Sequence, residues 1–151
     1  MRDPVKKGVL ALITTLALAT GGPAAASAEI SSAGVYEDAR HIMGLNYPDF
    51  ERHPRVAPFD WSTDGCTGIG QFFRRACVIH DFGYRNFGNH GALKLSPFPA
   101  TKEWIDERFW HEMRRICFDT YGPSGGATQG CLGGAYTAYK YVRDHGGEHF
   151  F

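Results

Sequence analysis

The stretch Cys77-Val78-Ile79-His80-Asp81-Phe82-Gly83-Tyr84-Arg85-Asn86 carries the most structural information in this chain. Phe73, Cys77, His80 and Tyr84 recur at helical spacing, so residues 71–87 read as a core helix with His80 on its inward stripe. Neighbouring helix residues point about 100° apart. His80 and Asp81 can therefore serve different partners, a proton acceptor on one side and a cation ligand on the other. Gly88, Asn89 and Gly91 end this helix, and Pro97 and Pro99 keep the following residues irregular.

Downstream, residues 101–118 read as a second long helix with Thr101 as its N-cap. Asp106, Phe109, Trp110, Met113 and Cys117 line one face of it. A carboxylate at the edge of an apolar stripe needs a partner, because an unpaired buried charge is costly. Glu103 and Glu107 fit the ordinary role of acids near the positive end of a helix better than Asp106 does. Residues 122–130 form a glycine-rich connection, and 131–142 a third helix with Cys131, Ala135, Ala138 and Val142 on one side. Upstream, Val35, Tyr36, Ala39, Ile42 and Met43 mark an amphipathic helix over 32–43. Gly44, Pro48, Pro54 and Pro58 then break the chain into a loop as far as Phe59, and residues 145–151 read as a loose tail. No segment alternates for long enough to be a strand. The expected fold is all-α: a small disulfide-stabilised helical domain whose two antiparallel core helices carry a His/Asp dyad.

The start of the chain reads as an export signal. Arg2, Lys6 and Lys7 precede an uncharged apolar run from Val9 to Thr20, and Ala26-Ser27-Ala28 ends in small residues. The run is too short for a membrane span of ~20 apolar residues. Residues 1–28 are thus expected to be a signal peptide, 29–151 the catalytic domain, and the protein extracellular. Without Arg2, Asp3, Lys6 and Lys7, the 16 basic and 16 acidic side chains become 13 and 15. No basic excess points to nucleic acid, and no polybasic patch to anionic lipid. Lipid contact, if made, is apolar, and a monomer is expected. The four cysteines, Cys66, Cys77, Cys117 and Cys131, all fall after the signal. An even count in an exported chain reads as disulfides, and four cysteines allow three pairings. Pairing Cys66 with Cys77 and Cys117 with Cys131 closes the two short local loops. Neither spacing is the C-x-x-C pair of a zinc site.

Upstream of the opening stretch lies Phe59-Asp60-Trp61-Ser62-Thr63-Asp64-Gly65-Cys66. These two motifs, with Asp106 beyond them, resemble the secreted bacterial and fungal phospholipase A2 family from about Tyr47 to Val142. The resemblance agrees with the local disulfide pairing. It implies that His80 is a general base, that Asp106 orients it, and that Asp64, Asp81 and the Gly65 carbonyl bind Ca2+. Asp60 reads as a structural acid. Tyr84 walls the site without a proton-transfer role. Trp61, Phe72 and Phe73 are candidates for an acyl groove or lipid-facing rim, with ordinary core the better reading for Phe73. Arg74 and Arg75 face either phosphate or solvent. Residues 67–76 and 87–100 diverge from the family pattern and border the site.

The function implied is calcium-dependent hydrolysis of the sn-2 ester of glycerophospholipids, acting on phospholipid aggregates or membrane surfaces. No serine elbow is read, so no acyl-enzyme is expected. Two other readings stand beside it: a catalytically idle secreted relative that binds lipid or a receptor, and a different calcium- or zinc-dependent esterase on the same helices.

Overall fold

The computed structural model describes residues 31–65 and 67–151. The expected leader and its cleavage site lie outside the described residues, as does Cys66. Among the described residues there is no strand. The elements are α1 (Ser32–Gly44), α2 (Tyr47–Arg52), a single 3-10 turn (Gln71–Phe73), α3 (Arg74–Phe87), α4 (Pro99–Tyr121), α5 (Gly126–His145) and α6 (Gly147–Phe150). No helix among them is long and apolar enough to cross a membrane.

The helices α3 and α4 form the centre and run antiparallel. His80 packs against Phe109, with ring centroids 4.8 Å apart, whereas Phe87, further along α3, packs against the earlier Trp104 at 5.6 Å. Gly83 sits in the contact between the two helices. A Cβ there would come within 2.7 Å of Ile105 Cγ2 and 3.1 Å of Met43 Cε, so only glycine permits this separation. One apolar cluster, including Ile42, Met43, Phe50, Phe82 and Phe87, fills the space under α1 and α2. A second, including Phe73, Phe109, Met113 and Ala135, fills the space under α5. Burial of each large side chain contributes about 1.5–3 kcal/mol before entropy is counted.

Two polar ties fix the outer helices. Arg108 of α4 donates from Nε to the Met43 carbonyl (3.1 Å) and from Nη2 to the Leu45 carbonyl (2.7 Å), placing a cation at the negative end of α1. Its remaining nitrogen bonds the buried Glu112 at 2.9 Å. The Cys117–Cys131 disulfide joins α4 to α5 with Cα atoms 5.7 Å apart. A loop of this length stabilises by about 3 kcal/mol through the unfolded chain. Cys77 is disulfide-bonded as well, and its expected partner is the undescribed Cys66.

Four boundaries differ from the sequence reading. Residues 47–52 are helical rather than loop. Asn46 caps them by accepting the Asp49 amide at 3.0 Å, and Pro48 takes a first-turn position, where a missing N–H costs nothing. For the same reason α4 begins at Pro99, not after a Thr101 cap; the Thr101 hydroxyl instead lies 2.7 Å from that of Ser96. The helix α5 begins at Gly126, inside the expected glycine loop, where Thr128 Oγ1 bonds the Gly122 and Ser124 carbonyls, both at 3.2 Å. The tail is docked rather than loose. Phe150 is fully buried against Tyr84, and its carbonyl accepts the Asn89 amide at 2.7 Å.

Candidate active site

Helical periodicity turns His80 inward and Asp106 towards it from the opposing helix. His80 Nε2 and Asp106 Oδ1 lie 2.9 Å apart, and Asp106 is completely buried. An ionised carboxylate only accepts, so Nε2 carries the proton and Nδ1 keeps its lone pair. The Tyr84 and Phe109 rings hold the imidazole at centroid distances of 4.2 and 4.8 Å.

The carboxylate is held from two more directions. The Tyr84 hydroxyl donates to Oδ1 at 2.8 Å, and Lys102 Nζ donates to Oδ2 at 2.7 Å. Lys102, itself buried, also donates to the Val142 and Arg143 carbonyls at 2.8 and 3.3 Å. All three ammonium protons are thereby used, and the C-terminal end of α5 is tied to the dyad. Burial pushes the Asp106 carboxyl upward, but the bonds from His80, Lys102 and Tyr84 outweigh it and hold the group below the usual carboxylate range. Burial, then the nearby Asp106 charge, raise the Tyr84 phenol far above its ordinary value. Tyr84 is thus a fixed donor at any working pH. Sequence reasoning made Tyr84 only a wall and missed Lys102. The i, i+4 spacing of Lys102 and Asp106 was the available signal.

On the other side of α3, Asp81 faces the 60–65 segment. Asn86, fully buried, braces that segment: it accepts the Asp60 amide and donates to the Asp60 carbonyl, both at 2.9 Å. Asp60 Oδ1 accepts the Ser62 amide (2.8 Å) and hydroxyl (2.6 Å), which keeps the carboxyl below its ordinary range. So Asp60 shapes the loop. Asp81 Oδ2 accepts the Thr63 hydroxyl at 2.5 Å and the Asp64 amide at 3.1 Å. The backbone at Asp64 is thus held beside the Asp81 carboxylate, while Asp64 Oδ1 accepts the Thr67 amide at 3.4 Å. Gly65 takes φ +66°, and the Arg74 guanidinium occupies the space a Cβ would need there. The Gly65 carbonyl accepts Gln71 Nε2 at 3.4 Å.

The remaining candidates separate by burial. Trp61 packs on Phe82 at 4.7 Å and donates to the Val56 carbonyl at 3.1 Å, making it the edge of the core. Phe73 is buried in the core, as expected. Phe72 is exposed and stacks on Tyr121 at 6.0 Å, over an apolar groove of about 300 Å³ floored by Ala127, Gly130 and Gly134 of α5. The Arg75 guanidinium lies over the Tyr47 ring at 5.7 Å. A further sequence match went unread: Gly122-Pro123-Ser124-Gly125-Gly126 has G-x-S-x-G spacing. It joins α4 to α5, with no strand before it, and so lacks the strand–turn–helix setting that exposes a nucleophile.

Chemically, a buried imidazole with one fixed tautomer is suited to take a proton from water. On the other face of α3, the residues named from the sequence offer two carboxylates, Asp64 and Asp81, and the Gly65 carbonyl. All three are hard oxygen donors, which fit calcium rather than zinc. Among the described residues no group of three or more His, Cys, Asp or Glu side chains could hold a metal.

Known proteins resemble this chain over most of its length. Residues 42–146 match the family model for prokaryotic phospholipase A2. A secretory phospholipase A2 from Beauveria bassiana (strain ARSEF 2860) is 34% identical over 116 residues, covering 72% of this chain. The match spans 56% of that relative's length.

Proposed function

The chain belongs to the prokaryotic phospholipase A2 family, and from that premise we propose that it is a secreted, calcium-dependent phospholipase A2. Its substrate is the sn-2 ester of a glycerophospholipid in an aggregate or membrane surface. The observation that carries the reading is the 2.9 Å bond from His80 Nε2 to a fully buried Asp106. It leaves Nδ1 as the free base of a tautomer that three donors to Asp106 lock in place.

His80 Nδ1 takes a proton from water as the water oxygen attacks the ester carbonyl carbon. Asp106 holds the ring and stabilises the imidazolium that forms. The carbon–oxygen bond to glycerol then breaks, and the proton on His80 passes to the departing oxygen, giving a fatty acid and a lysophospholipid. Asp64, Asp81 and the Gly65 carbonyl would hold the calcium ion, which when bound supplies positive charge to the phosphate and the developing oxyanion. So few protein ligands suit a weak site matched to the ~10⁻⁴–10⁻³ M calcium range of extracellular modules.

Fatty-acid release from mixed phospholipid vesicles tests the reading. Hydrolysis should stop in chelator and return with calcium. Full activity in chelator would remove calcium from the account, and recovery with zinc alone would favour another esterase. No release from any vesicle would leave an idle lipid binder.

A further inference from the structure

We infer that Thr63 is a positioning residue of the calcium site, its hydroxyl clasping Asp81 to the Gly65 backbone before the cation arrives. The inference rests on the calcium reading above and goes further into how the site is built.

A threonine hydroxyl has one proton to give and lone pairs to accept with. Thr63 uses both. It donates to Asp81 Oδ2 at 2.5 Å and accepts the Gly65 amide at 3.0 Å. The Asp64 amide reaches the same Oδ2 at 3.1 Å. Two consecutive residues, Thr63 and Asp64, therefore hold one carboxylate oxygen, and Gly65, at positive φ, is tied to it through the Thr63 hydroxyl. Both bonds fall on Oδ2, so Oδ1 is the oxygen left to a cation. Gly65 is buried while Thr63 is exposed. Removing the hydroxyl thus takes away the partner of a buried amide, and an unmet buried donor drives rearrangement. The segment that would rearrange is the one carrying the Gly65 carbonyl and the Asp64 side chain. Valine, the same shape without the hydroxyl, fits this surface position without disturbing the core.

The experiment is calorimetric titration of calcium alone into the chelator-stripped wild type, Thr63→Val and Thr63→Ser, with thermal melts of all three in chelator. Residues that orient metal ligands typically control affinity by 10–100-fold, so Thr63→Val should weaken calcium by roughly tenfold or more. Thr63→Ser keeps the hydroxyl and should stay within about threefold of wild type. Thr63→Ser should melt with wild type in chelator, and Thr63→Val only a few degrees lower, the cost of one unmet donor. Equal affinity of Thr63→Val and wild type would overturn the inference, and so would a serine variant as weak as the valine one. A Thr63→Val that melts well below the others in chelator would make Thr63 a folding residue and would also overturn it. A wild type that binds no calcium would overturn the calcium reading itself, an outcome none of the variants can imitate.

Discussion

On one side of α3, His80 meets a carboxylate shut away from water and held by three donors from α3 and α4. On the other side, one residue along, Asp81 meets an exposed loop whose bonds come from Thr63 and a backbone amide. The dyad is assembled by the core: its geometry depends on helix packing. The loop is assembled by local hydrogen bonds in contact with solvent, which are individually weak and easily exchanged for a cation's coordination. A base that must keep one tautomer needs the first kind of setting. A weak metal site that must remain open to substrate needs the second.

The largest effect should come from separating the two sides. His80→Asn retains a hydrogen-bonding side chain facing Asp106 but has no titrating nitrogen. General acid–base groups contribute about 10²–10⁴-fold, and turnover on vesicles should fall by that much. Calcium affinity by calorimetry should stay at the wild-type value, because His80 lies on the core side. An equal loss of calcium binding would show that the two sides are one coupled unit.

Next in size is the buried carboxylate itself. Asp106→Asn keeps the base and loses the charge that fixes its tautomer, so turnover should drop, though less than for His80→Asn. It also breaks a buried pair with Lys102, whose side chain is 8% exposed; removing one partner of such a pair costs about 3–5 kcal/mol. The sign with pH follows from the depressed Asp106 pKa. The carboxylate's stabilisation is present above its unfolded value, near the ordinary 3.8, and is lost as pH falls through the lower folded value. The variant should therefore melt well below wild type at neutral pH, and the gap should narrow below pH ~3.8 as wild type surrenders its advantage. A gap that stays constant down to the lowest pH would mean the carboxylate was never held charged.

The same division explains what was legible in the sequence. Core-built features follow periodicity. The stripe through Phe73, Cys77, His80 and Tyr84 and the one through Asp106, Phe109 and Met113 identify both helices and the residues that meet between them. Lys102 escaped because a lysine on a helix is ordinarily solvated; the Asp106 carboxylate and the carbonyls at the end of α5 together make its burial tolerable. Those carbonyls belong to a helix whose position no local pattern gives. Prolines misled in two places. Pro48 and Pro99 read in sequence as breakers of structure, yet each lies in the first turn of a helix, where proline's fixed φ is an asset. The tail looked loose because Phe150 and Phe151 follow a glycine- and charge-rich run, and two adjacent aromatics show no period. In the loop, the motif residues could be named, but the bonds of Thr63 and Asp64 to Asp81 are a matter of direction that spacing does not carry.

The smallest effects are expected from the two acids that flank Asp106, and they test whether burial, not position, makes the dyad. Successive helix positions turn by about 100°, so Glu107 faces away from the core while Asp106 faces in, and Glu103 lies almost a full turn back on the exposed side. Both glutamates are exposed. Glu103 bonds Arg143 Nη2 at 2.7 Å with about half of its own side chain in water. An ion pair in that setting contributes at most ~1 kcal/mol and is screened by salt. Glu103→Gln keeps a hydrogen-bonding oxygen for Arg143, so its melting temperature should fall only slightly at low salt and meet the wild-type value at high salt. Glu107→Gln should be silent at both. Neither should change fatty-acid release by more than about twofold, against the 10²–10⁴-fold ascribed to the base. A large loss of turnover in Glu103→Gln or Glu107→Gln, with Asp106→Asn still active, would move the partner of His80 to the exposed face of α4 and dissolve the contrast between a core-built dyad and a solvent-built loop.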